Sequence, residues 1–224
     1  MTSDRLVNTA PRIIRIDPIL PEPSLIEEVT VILKSGGVIG YPTETFYGLG
    51  ADATQDEAID KIFSIKGRNF QNPISIIIAE RNDLSQWISE IPPTAQPLIE
   101  KFWPGPLTLV FQASSAVHPR LTAGTGKIAI RISSHPIAAA LAMALGRPIT
   151  ATSANRSGAP ESTSVSDVSR QLGSGLDAII DGGETAGGKG STIIDTTVHP
   201  LKVLREGAIA STLVFQIANQ QVIS

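Results

Sequence analysis

The sequence predicts an α/β fold, one domain built on a largely mixed sheet. Three observations carry that prediction. Short apolar runs of strand length alternate with helical stretches from end to end, with neither a linker nor an internal repeat to divide them. Several of the runs stop at turns rich in Pro, Gly and hydroxyl side chains. The chain has 224 residues, 42% hydrophobic and 17% charged, enough to bury one substantial core.

Residues 1–23 hold Pro11, Pro18, Pro21 and Pro23 and read as an extended arm with an edge strand at 12–16. Ser24-x-x-Glu27 is a capping box ahead of Leu25, Ile26, Val29, Ile32 and Leu33 at helical spacing, and Gly36-Gly37 stops that helix. The run Val38-Ile39-Gly40 then feeds YPTETFYGLG at 41–50, the stretch around which the chain is organised. Pro42 ends the strand because it has no backbone donor. Thr43, Glu44 and Thr45 stand just past that end, and Gly48 and Gly50 permit a tight turn or the close approach of a ligand. An ordinary Pro-initiated turn fits this stretch alone equally well, so its neighbours decide.

Thr54-x-x-Glu57 opens a second helix, with Ala58, Ile59, Ile62 and Phe63 on its apolar face, which runs out at Lys66-Gly67-Arg68. Asn72-Pro73 leads into a strand at 74–79, and helical stretches at 83–90 and 94–102 are divided by Pro92-Pro93. Trp103-Pro104-Gly105-Pro106 is a rigid turn into a strand at 107–112. A strand at 127–132 carries Arg131 near its end, a helix at 135–145 has Pro136 in its first turn, and a strand at 148–152 delivers Ser153-Ala154-Asn155. A weak helix at 166–172, strands at 178–181, 191–195 and 202–205, and a closing helix from 211 complete the order. The loop at 182–190 has five glycines and reads as mobile.

Composition removes several classes of function. There is no cysteine, hence no disulfide, thiolate metal site or cysteine nucleophile. His118, His135 and His199 lie far apart, which argues against a zinc enzyme and a Ser-His-Asp triad. The longest apolar run, 137–145, falls well short of the ~20 residues of a membrane span, and the N-terminus lacks an apolar signal segment. A cytoplasmic protein is expected. Net charge is −3, yet residues 101–160 contain no Asp or Glu while holding Lys101, Arg120, Lys127, Arg131, Arg147 and Arg156. That distribution reads as a wall of positive potential facing an anionic ligand.

Polar residues gather at element ends: Thr43 with Thr45, Lys66 and Arg68 with Asn72, Ser153 with Asn155, Ser191 with Arg205, and Arg131 with Lys127. This set offers cations, hydroxyls and an amide but no nucleophile–base pair. It points to positioning and charge neutralisation, as in phosphoryl or nucleotidyl transfer. Lys66 and Arg68 suit a triphosphate, although cations at a helix end also compensate the macrodipole. Ser153-Ala154-Asn155 with Gly158 also fits an Asx-turn. Arg131 at a strand end could be a surface ion pair, a reading weakened by the lack of acids near it in sequence. Gly187-Gly188-Lys189-Gly190-Ser191-Thr192 imitates a phosphate loop with the wrong spacing and a strand after it.

These motifs resemble one family. YPTETFYGLG, Lys66-x-Arg68 with Asn72-Pro73, FWPGPLTLV at 102–110, Ile128 to Arg131 followed by His135-Pro136, Ser153-Ala154-Asn155-x-Ser157-Gly158, STIID at 191–195 and LREG at 204–207 match, in order, the YrdC-type threonylcarbamoyl-AMP synthases. The resemblance implies a twisted sheet with helices around a concave cationic cavity. It divides the chain into an N-terminal arm (1–23), a YrdC-like catalytic domain (24–212) and a C-terminal tail (213–224), a short form without the extra C-terminal domain of some relatives. The implied reaction joins L-threonine, bicarbonate and ATP into threonylcarbamoyl-AMP and pyrophosphate, with Mg²⁺ accompanying ATP and no protein metal site. A separate transferase would pass the group to tRNA beside the anticodon, with tRNA itself a further partner.

By the same resemblance, Lys66, Arg68, Ser153 and Asn155 surround the phosphates as the catalytic set. Asn72, Lys127 and Arg205 add contacts to ATP, while Thr45, Arg131, Ser191 and the backbone of Ala151 hold threonine. Loss of Lys66 or Arg68 is then expected to remove activity and spare the fold. Three positions depart from the family pattern: Asn69 replaces a usual proline, Ile77 a frequent histidine, and Glu161 a frequent serine. Two rivals remain. One is a non-catalytic RNA-binding paralogue, in which the cationic concavity holds a nucleic-acid backbone. The other is the carbamoyl-AMP-forming domain of hydrogenase maturation, whose usual zinc-finger partners need cysteines that are absent here.

Overall fold

The structure is a computed structural model that describes residues 10–67 and 72–219. Arg68 and Asn69 lie outside the described residues. The first half runs β1 (Arg12–Arg15), α1 (Pro23–Lys34), β2 (Ile39–Tyr41), β3 (Gly48–Gly50), α2 (Asp56–Lys66), β4 (Ile76–Ile77), α3 (Leu84–Trp87), α4 (Gln96–Phe102) and β5 (Leu107–Gln112). It continues with α5 (Pro119–Thr122), β6 (Lys127–Arg131), α6 (Pro136–Leu145), β7 (Ile149–Thr150), β8 (Thr152–Ser153) and α7 (Val165–Leu172). β9 (Ala178–Asp181), β10 (Thr192–Asp195), β11 (Lys202–Arg205) and α8 (Ser211–Asn219) follow.

These strands form two mixed sheets flanked by helices, where the sequence pattern predicts one. Five strands pair in the order β1-β9-β2-β3-β8, and six in the order β11-β10-β5-β6-β4-β7. The division falls inside the stretch expected as one strand at 148–152. β7 pairs with β4 in one sheet and β8 with β3 in the other, with Ala151 at the switch. Ser75 fixes that switch: Ala151 N–H donates to the Ser75 carbonyl at 2.7 Å, and Ser75 Oγ donates to the Ala151 carbonyl at 2.7 Å. A two-residue strand is defined by its partners rather than by its own pattern, so periodicity cannot place the break.

Neither expected capping box forms. α1 starts two residues earlier, with Glu22 at the N-cap position, Pro23 in its first turn and no side-chain cap, because proline's missing N–H costs nothing there. Thr54 donates its hydroxyl to Asp52 Oδ1 at 2.6 Å instead of capping α2, which begins at Asp56 with two acids in its first turn. α2 ends as expected at Gly67, in the left-handed conformation (φ 58°). His135 caps α6, its Nδ1 accepting from Ile137 N–H at 3.3 Å.

Gly50 serves packing rather than a turn. A Cβ there would lie 2.8 Å from both Tyr41 Cε1 and Ile149 Cδ1, so glycine makes room for the Tyr41 ring. That ring is fully buried, its hydroxyl donates to the Thr150 carbonyl at 3.0 Å, and burial raises its pKa. One apolar cluster joins β5, β6 and β10 to α2, α4 and α8; a second joins α1 and α6 to β1, β2 and β9 and takes in Ile77. α8 buries Val214 and Ala218 against the first cluster.

Candidate active site

The period-2 alternation of the six-stranded sheet makes the floor of a cavity of about 350 Å³. Leu107, Leu109, Phe111, Ile128, Ile130 and Ile194 face the core. The alternate positions Thr108, Val110, Ala129, Arg131, Ser191 and Ile193 line the cavity, with Leu204 and Arg205 closing one side. The opposing wall comes from the other sheet: Thr43, Thr45 and Gly48 of YPTETFYGLG, and Thr152 and Ser153 of the switch segment. The two sheets thus meet at the cavity, near the end of β2, where a ligand site was expected.

Arg205 and Arg131 supply its positive charge. Arg205 donates through Nε to the Ser191 carbonyl and through Nη2 to Ser191 Oγ, both at 2.9 Å. Ser191 Oγ also lies 2.8 Å from Thr108 Oγ1. Burial and then the charge of Arg131 lower the Arg205 pKa from its ordinary value, with Glu161 opposing. Among the described residues that line the cavity, Arg131 and Arg205 are the two cations, and they repel one another.

Arg131 is ion-paired after all. Its Nη1 lies 2.8 Å from Glu44 Oε1, both side chains are nearly buried, and Ser133 Oγ donates to Glu44 Oε2. The acid comes from 87 positions away, which is why local sequence gave no sign of it. Lys127 is likewise held, 2.9 Å from Asp195 Oδ2. It sits on the cavity face of β6, two residues before Ala129, without reaching the lining. Burial raises the Asp195 carboxyl, but the Thr197 hydroxyl and Lys127 outweigh it and leave the pKa below the ordinary value.

Lys66 is buried behind Ser153 rather than exposed at a helix end, being 4% accessible. Its ammonium donates to the Ser153 carbonyl at 2.5 Å, the Asn155 carbonyl at 2.9 Å and Asn155 Oδ1 at 3.3 Å. Ser153 Oγ donates to Asn155 Oδ1 at 2.6 Å, and Asn155 Nδ2 to the Ala159 carbonyl at 2.5 Å. Lys66, Ser153 and Asn155 therefore converge on one segment, with Ser153 presented to the cavity. This burial argues that losing Lys66 would disturb the fold as well as the site, where the sequence reading expects the fold to be spared.

Thr45, Arg131, Ala151, Ser153, Ser191 and Arg205 line the cavity, as does Pro73, next to the exposed Asn72. Arg68 falls outside the described residues. Glu161 is at the cavity edge, whereas Ile77 is buried in the second core cluster. Ser75, Thr108 and Ser133 go unmarked in the sequence reading, as does the pairing of Glu44 with Arg131; strand parity flags Thr108. The 182–190 loop, read as mobile, is hydrogen-bonded across the site. Gly187 N–H donates to the Thr45 carbonyl at 2.8 Å, and Tyr47 Oη donates to the Gly183 carbonyl at 2.7 Å. Burial pushes the Tyr47 phenol up to about 12.

Among the described residues no three His, Cys, Asp or Glu side chains cluster as metal ligands.

The geometry defines a class: an α/β protein with an inter-sheet cavity lined by guanidiniums and hydroxyls. The chain belongs to the Sua5/YciO/YrdC family, whose model, described as "Telomere recombination", matches residues 31–207. The threonylcarbamoyl-AMP synthase of Pyrococcus abyssi is 44% identical over 177 residues, 79% of this chain and 52% of that protein. That of Bacillus subtilis is 40% identical over 185 residues, 82% of this chain and 54% of its own length. The chain therefore spans about half the length of these two relatives. The crystal structure of P. abyssi Sua5 complexed with L-threonine superposes with a TM-score of 0.88 at 40% identity, covering 92% of this chain and 60% of that one.

Proposed function

We propose that this protein is an L-threonylcarbamoyladenylate synthase, a nucleotidyltransferase acting on L-threonine, bicarbonate and Mg·ATP. The observation that carries the reading is the single cavity in which Arg131 and Arg205 from one sheet face Thr45 and Ser153 from the other. Two negatively charged reactants must meet in this chemistry, and such a cavity cancels their repulsion. The threonylcarbamoyl-AMP synthase relatives support the same reading.

In the proposed reaction the threonine amine and bicarbonate condense to a carbamate with loss of water. A carbamate oxygen then attacks the α-phosphorus, the bond to the β-phosphate oxygen breaks, and pyrophosphate leaves. The nucleophile is already anionic, so no protein base is required. Thr45, Arg131, Ser191 and the Ala151 backbone are assigned to threonine; Ser153, Asn155, Lys66, Asn72, Lys127, Arg205 and Arg68 to the nucleotide. Lys66 acts through Ser153 and Asn155, and Lys127 must exchange Asp195 for a phosphate. Mg²⁺ enters on ATP. The reading also carries a cytoplasmic setting and a separate transferase that delivers the group to tRNA.

The test is pyrophosphate release from ATP and bicarbonate with threonine, serine, valine or no amino acid. Threonine-dependent release with a threonylcarbamoyl-AMP product is expected. Valine should turn over at least ~100-fold more slowly, because a site built to hydrogen-bond a hydroxyl rejects an analogue lacking it. Release independent of any amino acid would remove the reading.

A further inference from the structure

Resting on the reading just given, we propose that Glu44 is a positioning residue for Arg131: its carboxylate holds the guanidinium against the cavity so that the planar fork meets the amino-acid carboxylate. Arg131 lines the cavity and Glu44 does not. Glu44 therefore acts through Arg131 and touches no substrate. Oε1 takes Arg131 Nη1 at 2.8 Å while Ser133 Oγ donates to Oε2, so both carboxylate oxygens are fixed from the far end of β6. The side chains of Arg131 and Glu44 are 7% and 12% exposed. A guanidinium carries five N–H donors in one rigid plane. Anchoring one of them from behind sets the plane that the cavity presents.

Two observations separate this role from simple scaffolding. The turn that holds Glu44 is already closed without it: Thr43 Oγ1 donates to the Phe46 carbonyl at 2.7 Å, and Thr45 N–H donates to Thr43 Oγ1 at 3.2 Å. A buried ion pair is also a poor stability device, since desolvating both charges offsets most of their attraction. Its gain is in orientation and in charge. Arg131 and Arg205 repel across the cavity, and Glu44 screens one of them from behind.

The test compares Glu44→Gln, which keeps an acceptor but cancels the charge, with Ser133→Ala, which removes only the second anchor. In steady-state assays Glu44→Gln is expected to raise the KM for threonine roughly ten- to a hundredfold, with the KM for ATP and kcat within about twofold. Ser133→Ala is expected to raise the threonine KM by less. Calorimetric titration of threonine onto the protein without ATP should show the same loss. In NMR spectra of the free protein, the Arg131 guanidinium N–H resonances should be resolved in the wild type and exchange-broadened in Glu44→Gln. An unchanged threonine KM and affinity, or a uniform loss for threonine and ATP with a lowered melting temperature, would overturn the proposal. Absence of threonine-dependent pyrophosphate release in the wild type would sink the enzymatic reading alone. The binding and NMR arms would still decide whether Glu44 orders Arg131.

Discussion

Lys66 carries its charge 2.5–3.3 Å from three acceptors on Ser153 and Asn155. Replacing it with Met keeps the stem and leaves two buried carbonyls without that donor, at a cost of about 3 kcal/mol. For a domain of this size that is a fall of roughly 6–12 °C in melting temperature, accompanied by loss of pyrophosphate release. A full melting temperature with activity gone would instead put the ammonium itself in contact with phosphate. His135 makes a pH-dependent contribution. Burial, opposed by Glu44, holds its pKa below the ordinary 6.5, so the unfolded chain binds the proton more readily. Stability from this group is then complete above about pH 6.5 and declines as pH falls below it. Protonation also removes the Nδ1 acceptor that caps α6. His135→Asn retains a capping acceptor without titrating. Its urea midpoint should fall less than the wild type's between pH 7.5 and 5.5, and parallel declines would refute the assignment.

At the scale of elements, the β10–β11 pair holds Ser191 against Arg205, and Gly207 permits it. A Cβ on Gly207 would lie 2.3 Å from the Gly190 carbonyl oxygen and 2.4 Å from Ser191 C and Thr192 N. All three are backbone atoms, so no rotamer relieves the clash and the strands must separate. Gly207→Ala is expected to cost at least about 1–3 kcal/mol and to lower activity with it. Gly67→Ala, where no atom of the described residues lies within 4 Å, should cost only the roughly 1 kcal/mol of a left-handed alanine. Calorimetric melting of both variants gives the comparison, and equal shifts would mean that the strands yield freely. Elements like these divide by how much of them sequence can reveal. β5, β9 and β11 were legible because each is a run of strand formers punctuated by turn residues, and their bounds match the pattern. β3, β4, β7 and β8 were blurred or missed because two or three residues carry no periodicity and each has a strand partner far along the chain. The candidate site was legible as a set of motifs at element ends. Its electrostatics were not, since the Glu44–Arg131 and Lys127–Asp195 pairs span 87 and 68 positions.

For the molecule as a whole, those pairs change what the acid-free segment 101–160 means. Arg120 pairs with Asp60, Lys127 with Asp195, Arg131 with Glu44 and Arg147 with Asp52, and every one of these acids comes from outside the segment. The fold therefore cancels much of the positive wall that the linear sequence displays. Inside the cavity Arg205 differs, since its hydrogen bonds among the described residues go to neutral Ser191. A small anion that enters the cavity meets that guanidinium; a polyanion tracking the surface meets largely compensated charges on a chain of net charge −3. This distinguishes the enzymatic reading from a module that coats RNA. A surface that neutralises one or two phosphates should lose only about tenfold in affinity for tRNA between 50 and 200 mM KCl, whereas six or more contacts would cost a thousandfold or greater. Fluorescence titration of labelled tRNA across that range makes the comparison. A shallow dependence fits a cavity enzyme that passes its product to another protein, while a steep one would mean that uncompensated cations line the outside and that the RNA-binding reading is the better account.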